Sequence, residues 1–363
     1  MNRNLIARLG LMAFFFLALA SCKKKDRQEQ LTAEIDRICD SVISSTTLPG
    51  MVVGIWSDDF TYLKGRGLGN LNPRQEMDPR GAFRIGSNTK TFVVTNILQL
   101  VEEQKLSLED TLGRFFPGFQ NGSTITIRML CNMTSGIPSY TDSAFDRIQE
   151  QAPLKKWTPQ ELVGLVKKKT FVPPGTAFEY SNTNTILLGM IIEQLTGKSL
   201  GENLKTRFFN KLAMTNTIFP FGADMPPGAI RGYMNFSNSA AFIDDVTERY
   251  DLSWAWAAGS VISDIASVKT WVEALVDGQF VAPLLQEQRF IGKAGTHITY
   301  GLGMFSPGKD MWGHNGGLPG YTSIMMHHRS RNITYVIFYN IQDTTITPEN
   351  LYKRLLSVVN PEL

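Results

Sequence analysis

The chain has 363 residues, of which 43% are hydrophobic and 19% are charged. This length and composition allow one large domain or two smaller ones with a substantial core, and they exclude a disordered or low-complexity chain. The formal net charge is +3. Because five basic residues lie within the first 25 positions, the remainder is close to neutral and lacks the basic patch that nucleic-acid binding requires.

The first predicted element is a targeting segment. Arg3 and Arg8 precede an apolar stretch, Leu9 to Ala20, that is too short to span a membrane. The stretch ends in Leu-Ala-Ser followed by Cys22, which resembles the lipobox of bacterial lipoproteins; an ordinary signal peptide is the alternative. We therefore expect a signal peptide over 1–21, a lipidated Cys22 with a polar tether over 22–30, and a protein anchored outside the cytoplasm in the bacterial cell envelope, as a periplasmic or outer-membrane lipoprotein.

Hydrophobic patterning predicts strands near the start of the folded domain and helices in its middle. An amphipathic helix is expected over 31–45, followed by two strands over 50–56 and 60–69. From Ser87 to about Asn216 the signals are mainly helical, including a capping box at 158–161.

Beyond about residue 257 the pattern alternates again. A helix over 262–276 precedes strand-like runs over 299–305, 321–328 and 333–340, and a closing helix covers 351–359. Strands at both ends predict an α/β (α+β) domain over 31–363, in which one antiparallel sheet is built from both chain ends. A mainly helical subdomain, roughly 85–250, is inserted between the two halves, and the seam is where a small-molecule site is expected.

The cysteines and histidines point to no cofactor. Cys39 and Cys131 lie in apolar, helical contexts, so we predict two separate buried thiols, although the compartment permits a disulfide. The four histidines show no metal-ligand spacing, and neither a metal nor an organic cofactor is expected.

The stretch "RIGSNTKTFVV" carries the first candidate for chemistry. Ser87 opens a densely apolar helix, and Lys90 follows on the same helix face. A lysine in a buried helix has a lowered pKa, so it can accept the serine proton and make Ser87 a nucleophile. The alternative is a capping serine beside a lysine that extends to solvent.

Two further stretches carry polar groups suited to a cleft. "EYSN" (179–182) follows a Pro-Pro-Gly break and offers a tyrosine for proton transfer and an asparagine for binding an amide. "WGHNGGLPGY" (312–321) is rich in glycine, which permits close backbone approach of a ligand. Taken alone, the first could be a capped helix start and the second a β-turn.

In this order, the three stretches resemble the motifs of the penicillin-recognising serine hydrolases. That family comprises class C β-lactamases, D-alanyl-D-alanine carboxypeptidases and related esterases. Its three motifs are Ser-x-x-Lys, Tyr-Ser-Asn and a Lys-Thr-Gly element. Here the third element is His-Asn-Gly (314–316). The similarity spans about 31–359 and implies the β-lactamase/transpeptidase-like fold.

The resemblance implies a role for each matched residue. Ser87 is the expected nucleophile of an acyl-enzyme, and Lys90 and Tyr180 share general-base and general-acid duty. The backbone N–H groups of Ser87 and Gly317 would form the oxyanion hole. The expected substrate-binding residues are Asn182, His314, Asn315 and Gly316.

The third motif also departs from the family pattern. In β-lactamases its lysine and threonine face the substrate carboxylate, whereas His314 is expected to be only partly charged near neutral pH. A second departure is Asn132-Met133, where relatives commonly have a histidine.

The departure in the third motif disfavours an efficient class C β-lactamase, and the expected location outside the cytoplasm favours a cell-envelope hydrolase of D-amino-acid peptides or related amides. The alternatives are an esterase or amidase of small acyl substrates, a class C-like β-lactamase, and a non-catalytic penicillin-binding sensor. The expected partners are a peptide or small-molecule substrate and, through the lipid, a membrane; the sequence does not determine the oligomeric state.

Overall fold

The structure is a computed structural model that describes residues 25–220, 222–236, 243–295 and 298–363. The predicted signal peptide, Cys22 and His297 lie outside these residues. The helices are α1 (25–45), α2 (Thr89–Glu102), α3 (Ile127–Cys131), α4 (Ser143–Gln151), α5 (Pro159–Gly164), α6 (Asn182–Thr196), α7 (Leu200–Leu204), α8 (Trp256–Gly259), α9 (Ile265–Val276), α10 (Pro283–Arg289) and α11 (Pro348–Val359). The strands are β1 (Gly50–Trp56), β2 (Thr61–Leu71), β3 (Arg74–Glu76), β4 (Phe83–Arg84), β5 (Tyr233–Asn235), β6 (Ile243–Asp245), β7 (Ile262–Ser263), β8 (Lys293–Ala294), β9 (Thr299–Tyr300), β10 (Phe305–Gly308), β11 (Met311–Leu318), β12 (Tyr321–His328), β13 (Thr334–Tyr339) and β14 (Ile341–Gln342).

One antiparallel sheet joins the two ends of the chain. Its strand order is β3-β2-β1-β13-β12-β11-β10-β9-β8, so β1 from the beginning of the chain pairs with β13 near its end. The helices α2 to α7 lie between these strands in sequence. This arrangement confirms the predicted fold class.

Each face of the sheet is covered by helices. On one face, buried side chains of α1 and α11 pack against β1, β12 and β13. On the other, α2, α6 and α9 build the larger core, in which the rings of Phe92 and Trp271 stack 3.8 Å apart. Burial on both faces explains why β13 reads as a continuous apolar run instead of an alternating one.

Three local assignments differ from the sequence-based expectations. Residues 25–30, expected in the tether, belong to α1. The predicted helix over 262–276 is divided, because Ile262 and Ser263 form β7 and Asp264 caps α9 through its side chain. The third motif lies within strand β11, where no strand was predicted, and the turn of the glycine-rich stretch follows at 319–320, before β12.

Cys39 and Cys131 are free, buried thiols that belong to different hydrophobic clusters. Burial raises the pKa of both thiols to about 12, so they remain protonated and unreactive near neutral pH. Within the described ranges, none of the helices combines the length and apolar character needed to cross a bilayer.

Candidate active site

Ser87 lies on a short turn that is anchored to the sheet. The turn is a 3₁₀ helix, Gly86–Asn88, that leads directly into α2. Asn88 holds it in place, because its Nδ2 donates to the Ile85 carbonyl and to Ser323 Oγ of β12, both at 2.8 Å. Ser87 therefore has a fixed position relative to both β12 and the start of the buried helix.

Glycines allow this turn to lie directly against β11. A Cβ on Gly86 would come within 2.7 Å of the Gly317 nitrogen, and Gly86 has a φ of +55°, which favours glycine. A Cβ on Gly316 would come within 2.0 Å of the Ile85 carbonyl oxygen. Only backbone fits between the two segments, so Ser87 and Gly317 are brought side by side, as an oxyanion hole built from their N–H groups would require.

Lys90 is completely buried and faces Ser87. Its Nζ lies 2.8 Å from Ser87 Oγ and 2.7 Å from the carbonyl oxygen of Ala258 in α8. Among the residues that the structure describes, no carboxylate lies within salt-bridge distance of this nitrogen. The alternative in which Lys90 extends to solvent is therefore excluded.

The surroundings of Lys90 favour its neutral form. Burial lowers its pKa well below the ordinary value of lysine. The Ala258 carbonyl can only accept, so Nζ donates one N–H to it, and a neutral amine keeps a lone pair for the Ser87 hydroxyl proton. Lys90 is thus within hydrogen-bond reach of the proton that a general base would remove.

Tyr180 forms the opposite wall of the site. The centroid of its ring lies 5.0 Å from Lys90 Nζ. The residue exposes 40% of its surface, but its hydroxyl is buried. This burial raises the pKa of the phenol, and a hydrogen bond with Ser87 lowers it by a smaller amount. Ser181, the neighbouring residue, occupies the N-cap position of α6 but makes no side-chain capping bond. The stretch is therefore more than a capped helix start.

Asn182 lies at the first position of α6. Its Nδ2 donates to Thr141 Oγ1 at 2.9 Å, and its backbone N–H donates to Ser139 Oγ at 3.2 Å. Its Oδ1 is buried and has no hydrogen-bond partner among the described residues. Asn182 is therefore oriented by its amide nitrogen, and its buried Oδ1 is left without a donor from the described part of the chain.

His314 is buried beside Tyr180, with ring centroids 6.2 Å apart. Its Nδ1 lies 2.6 Å from the Asn315 carbonyl, which only accepts, so the proton is on Nδ1 and Nε2 accepts from the Tyr300 hydroxyl at 3.0 Å. Burial, reinforced by Lys90, lowers the pKa of His314 to about 3. This differs from the expectation of a partly charged ring, because a buried imidazole without a carboxylate stays neutral near pH 7.

Asn315 faces away from this ring and toward the last helix. Its Nδ2 donates a short hydrogen bond to Glu349 Oε1, in the first turn of α11. The sequence did not single out Glu349 or Tyr300 as site residues. Tyr300 opens the stretch "YGLGMF" (300–305), which also resembles the family, whereas Glu349 belongs to no motif; both reach the site through tertiary packing.

The structure thus brings Ser87, Lys90, Tyr180 and His314 together and places Gly316 and Gly317 against the serine turn. Asn182, at the start of α6, donates to Thr141 of the adjoining loop, and Asn315 pairs with α11. In the same described ranges, no group of three or more His, Cys, Asp or Glu side chains is arranged to hold a metal ion.

Comparisons with known proteins find similarity over most of the chain. The family model described as beta-lactamase matches residues 30–358. Penicillin-binding protein 4* of Bacillus subtilis (strain 168) is 27% identical over 315 residues, which cover 82% of this chain and 69% of that protein.

Two solved structures are similar over most of their length. A D-stereospecific amidohydrolase from Streptomyces sp. shares 28% identity with a TM-score of 0.78, over 88% of this chain and 98% of that one. The D-amino acid amidase from Ochrobactrum anthropi SV3, in complex with D-phenylalanine, shares 26% identity with a TM-score of 0.82, over 92% of this chain and 100% of that one.

Proposed function

The chain belongs to the beta-lactamase family of serine hydrolases, and from that premise we propose that Ser87 forms an acyl-enzyme with amides or peptides of D-amino acids. The observation that carries the proposal is the 2.8 Å separation between Lys90 Nζ and Ser87 Oγ at a buried position. A desolvated amine beside a hydroxyl is an arrangement suited to nucleophilic catalysis.

The first step is attack on the substrate carbonyl. Neutral Lys90 takes the proton of Ser87 as Oγ bonds to the carbonyl carbon, and the carbonyl oxygen becomes an oxyanion. The N–H groups of Ser87 and Gly317 bind that oxygen. Tyr180, whose raised pKa keeps the phenol protonated, passes a proton to the leaving nitrogen as the C–N bond breaks, and the proton held by Lys90 then moves to Tyr180, which restores the neutral amine and the phenol.

The second step releases the acyl group. Water attacks the acyl carbon as neutral Lys90 takes its proton, with Tyr180 beside it. Lys90 then returns that proton to Ser87 Oγ as the bond between Oγ and the acyl carbon breaks, and the acid product leaves. No residue needs to carry a permanent charge in this cycle.

The proposed substrate class rests on two features. The relatives reported above include an amidase whose structure holds D-phenylalanine and an amidohydrolase described as D-stereospecific. The neutral His314 also offers no positive charge to a substrate carboxylate, which disfavours efficient turnover of β-lactams. A site without that charge also suits small uncharged esters, so an esterase is the second candidate.

The test compares the full chain with Ser87→Ala and with Ser123→Ala, an exposed serine far from the site in sequence that serves as the control. We expect wild type and Ser123→Ala to hydrolyse D-phenylalanine amide and Ser87→Ala to be inactive. Turnover of p-nitrophenyl acetate alone would indicate the esterase. A lasting penicillin adduct without amide turnover would indicate a penicillin-binding protein. Consumption of penicillin would indicate a β-lactamase.

We also propose that Cys22 carries the lipid anchor outside the cytoplasm. In the described part of the chain α1 begins at residue 25, so the folded domain would lie close to the membrane surface. Cys22→Ser is expected to move the protein from the membrane fraction to the soluble fraction of cells. Retention in the membrane fraction would contradict the anchor.

A further inference from the structure

An apolar cavity of about 320 Å³ adjoins the proposed active site. Tyr180 and His314 form part of its wall, so the cavity begins where the reacting atoms lie. Its other walls are mainly apolar or aromatic, including Tyr300, Ile324 and Tyr352. This volume and lining suit the side chain of one amino acid, up to an aromatic ring.

Glu349 provides a carboxylate in this cavity. Asn315 orients it through the hydrogen bond to Oε1, and Oε2 has no hydrogen-bond donor among the described residues. Within those residues no lysine or arginine forms a salt bridge with Glu349. The exposed Lys353 lines the same cavity one helical turn further on, but it does not pair with Glu349.

This carboxylate lies where the third motif would meet a substrate. Asn315 and Gly317 are two residues apart on β11, about 7 Å along the strand. A substrate whose carbonyl oxygen is bound at Gly317 and which extends along β11 into the cavity would place its neighbouring part beside Asn315 and Glu349. An anionic group there would be repelled, and a cationic group would be attracted.

We propose that Glu349, oriented by Asn315, binds the ammonium group of the substrate, so that the enzyme takes amides of amino acids with an unblocked amino group and an apolar side chain. This inference rests on the proposed function, since it names the substrate class of the same site. Glu349 is then a specificity-determining residue, because it acts on recognition and not on the proton transfers.

The test measures a ratio of kcat/KM values, for D-phenylalanine amide over N-acetyl-D-phenylalanine amide, with the full chain. Acetylation removes the positive charge and leaves the scissile bond unchanged. We expect wild type to prefer the free amine and Glu349→Gln to lower the ratio about 10- to 100-fold, the size expected for a hydrogen bond to a charged group. Glu76→Gln, which makes the same change at an exposed carboxylate of β3 outside the cavity, is the matched control and is expected to keep the ratio.

A purely structural role for Glu349 would lower both rates and leave the ratio unchanged, which would overturn the inference. A wild-type enzyme that prefers the acetylated amide would overturn it as well. Hydrolysis of p-nitrophenyl acetate separates the failure of this inference from the failure of the proposed function. If wild type hydrolyses the ester and Ser87→Ala does not, but the kcat/KM ratio of wild type is near one, only the ammonium site is refuted. If no Ser87-dependent turnover of any substrate is found, the proposed function fails too.

Discussion

Replacing Lys90 with methionine tests the central proton transfer with little change in volume. Methionine is unbranched and of similar length, so it can fill the buried space beside α2. The change removes the nitrogen 2.8 Å from Ser87 Oγ and leaves the Ala258 carbonyl without its 2.7 Å donor.

The expected loss follows from these contacts. A positioned general base contributes about 10²- to 10⁴-fold, which corresponds to about 3–5 kcal/mol of activation free energy. The unpaired carbonyl costs about 1–3 kcal/mol of folding free energy, and removal of a desolvated amine offsets part of it. Lys90→Met is therefore expected to remain folded, with its melting temperature within a few degrees of wild type.

The assay is kcat/KM for p-nitrophenyl acetate as a function of pH. Because burial lowers the pKa of Lys90, the amine is neutral above that pKa, and wild-type activity should fall as pH drops through it. Lys90→Met should have a much lower kcat/KM, and its remaining activity should no longer fall as pH drops through this range. Lys211→Met, at an exposed position, is the control.

Two results would refute the reasoning. A folded Lys90→Met enzyme within threefold of wild type would show that Lys90 is not the base. A variant that is unfolded at the assay temperature would show that the nitrogen is needed for the fold.

Three further predictions concern the groups around the serine. Tyr180→Phe should lower kcat about 10²- to 10⁴-fold with little change in thermal stability; a stable variant with wild-type kcat in the amide assay would contradict the acid role. Gly316→Ala should lower both melting temperature and activity, because its Cβ would lie 2.0 Å from the Ile85 carbonyl oxygen. Gly317→Ala should be stable, because the nearest atom to its Cβ would be 3.9 Å away; equal melting temperatures of the two variants would refute the close approach at Gly316. For His314, the folded-state pKa of about 3 lies below the ordinary 6.5, so the unfolded chain binds the extra proton and stability should decrease as pH falls from 6.5 toward 3, by about 1.4 kcal/mol per unit. Denaturant titrations at pH 6.5 and 5.0 should show a smaller decrease in His314→Gln, and an identical decrease would contradict the buried neutral ring.

The sequence was sufficient for the architecture because strand and helix patterns are local. Strands near 50–69 and 321–340 with helices between them predict a sheet closed by both chain ends, and β1 does pair with β13. Family membership is confirmed by the match over residues 30–358. The division of 262–276 into β7 and α9 was missed, since an apolar pair at a helix start fits either element.

The motifs also placed Ser87 and Lys90 correctly with respect to each other, because three residues on a helical turn fix their spacing. They did not reveal the charge state of His314, which depends on burial by Tyr300 and other distant residues. Nor did they reveal Glu349, which is 34 residues from Asn315 and reaches it only when α11 packs on the sheet. No local pattern encodes such an approach.

The motif residues and α11 contribute different electrostatic properties to the site. Burial favours the neutral forms of Lys90, His314 and the Tyr180 phenol, so these three groups are better suited to exchanging protons than to selecting a substrate by charge. Selection by charge then falls to groups outside the motifs, and in the cavity beside Tyr180 the one that Asn315 orients is the carboxylate of Glu349. Under this proposal, relatives with the same three motifs can differ in substrate through the first turn of the last helix alone.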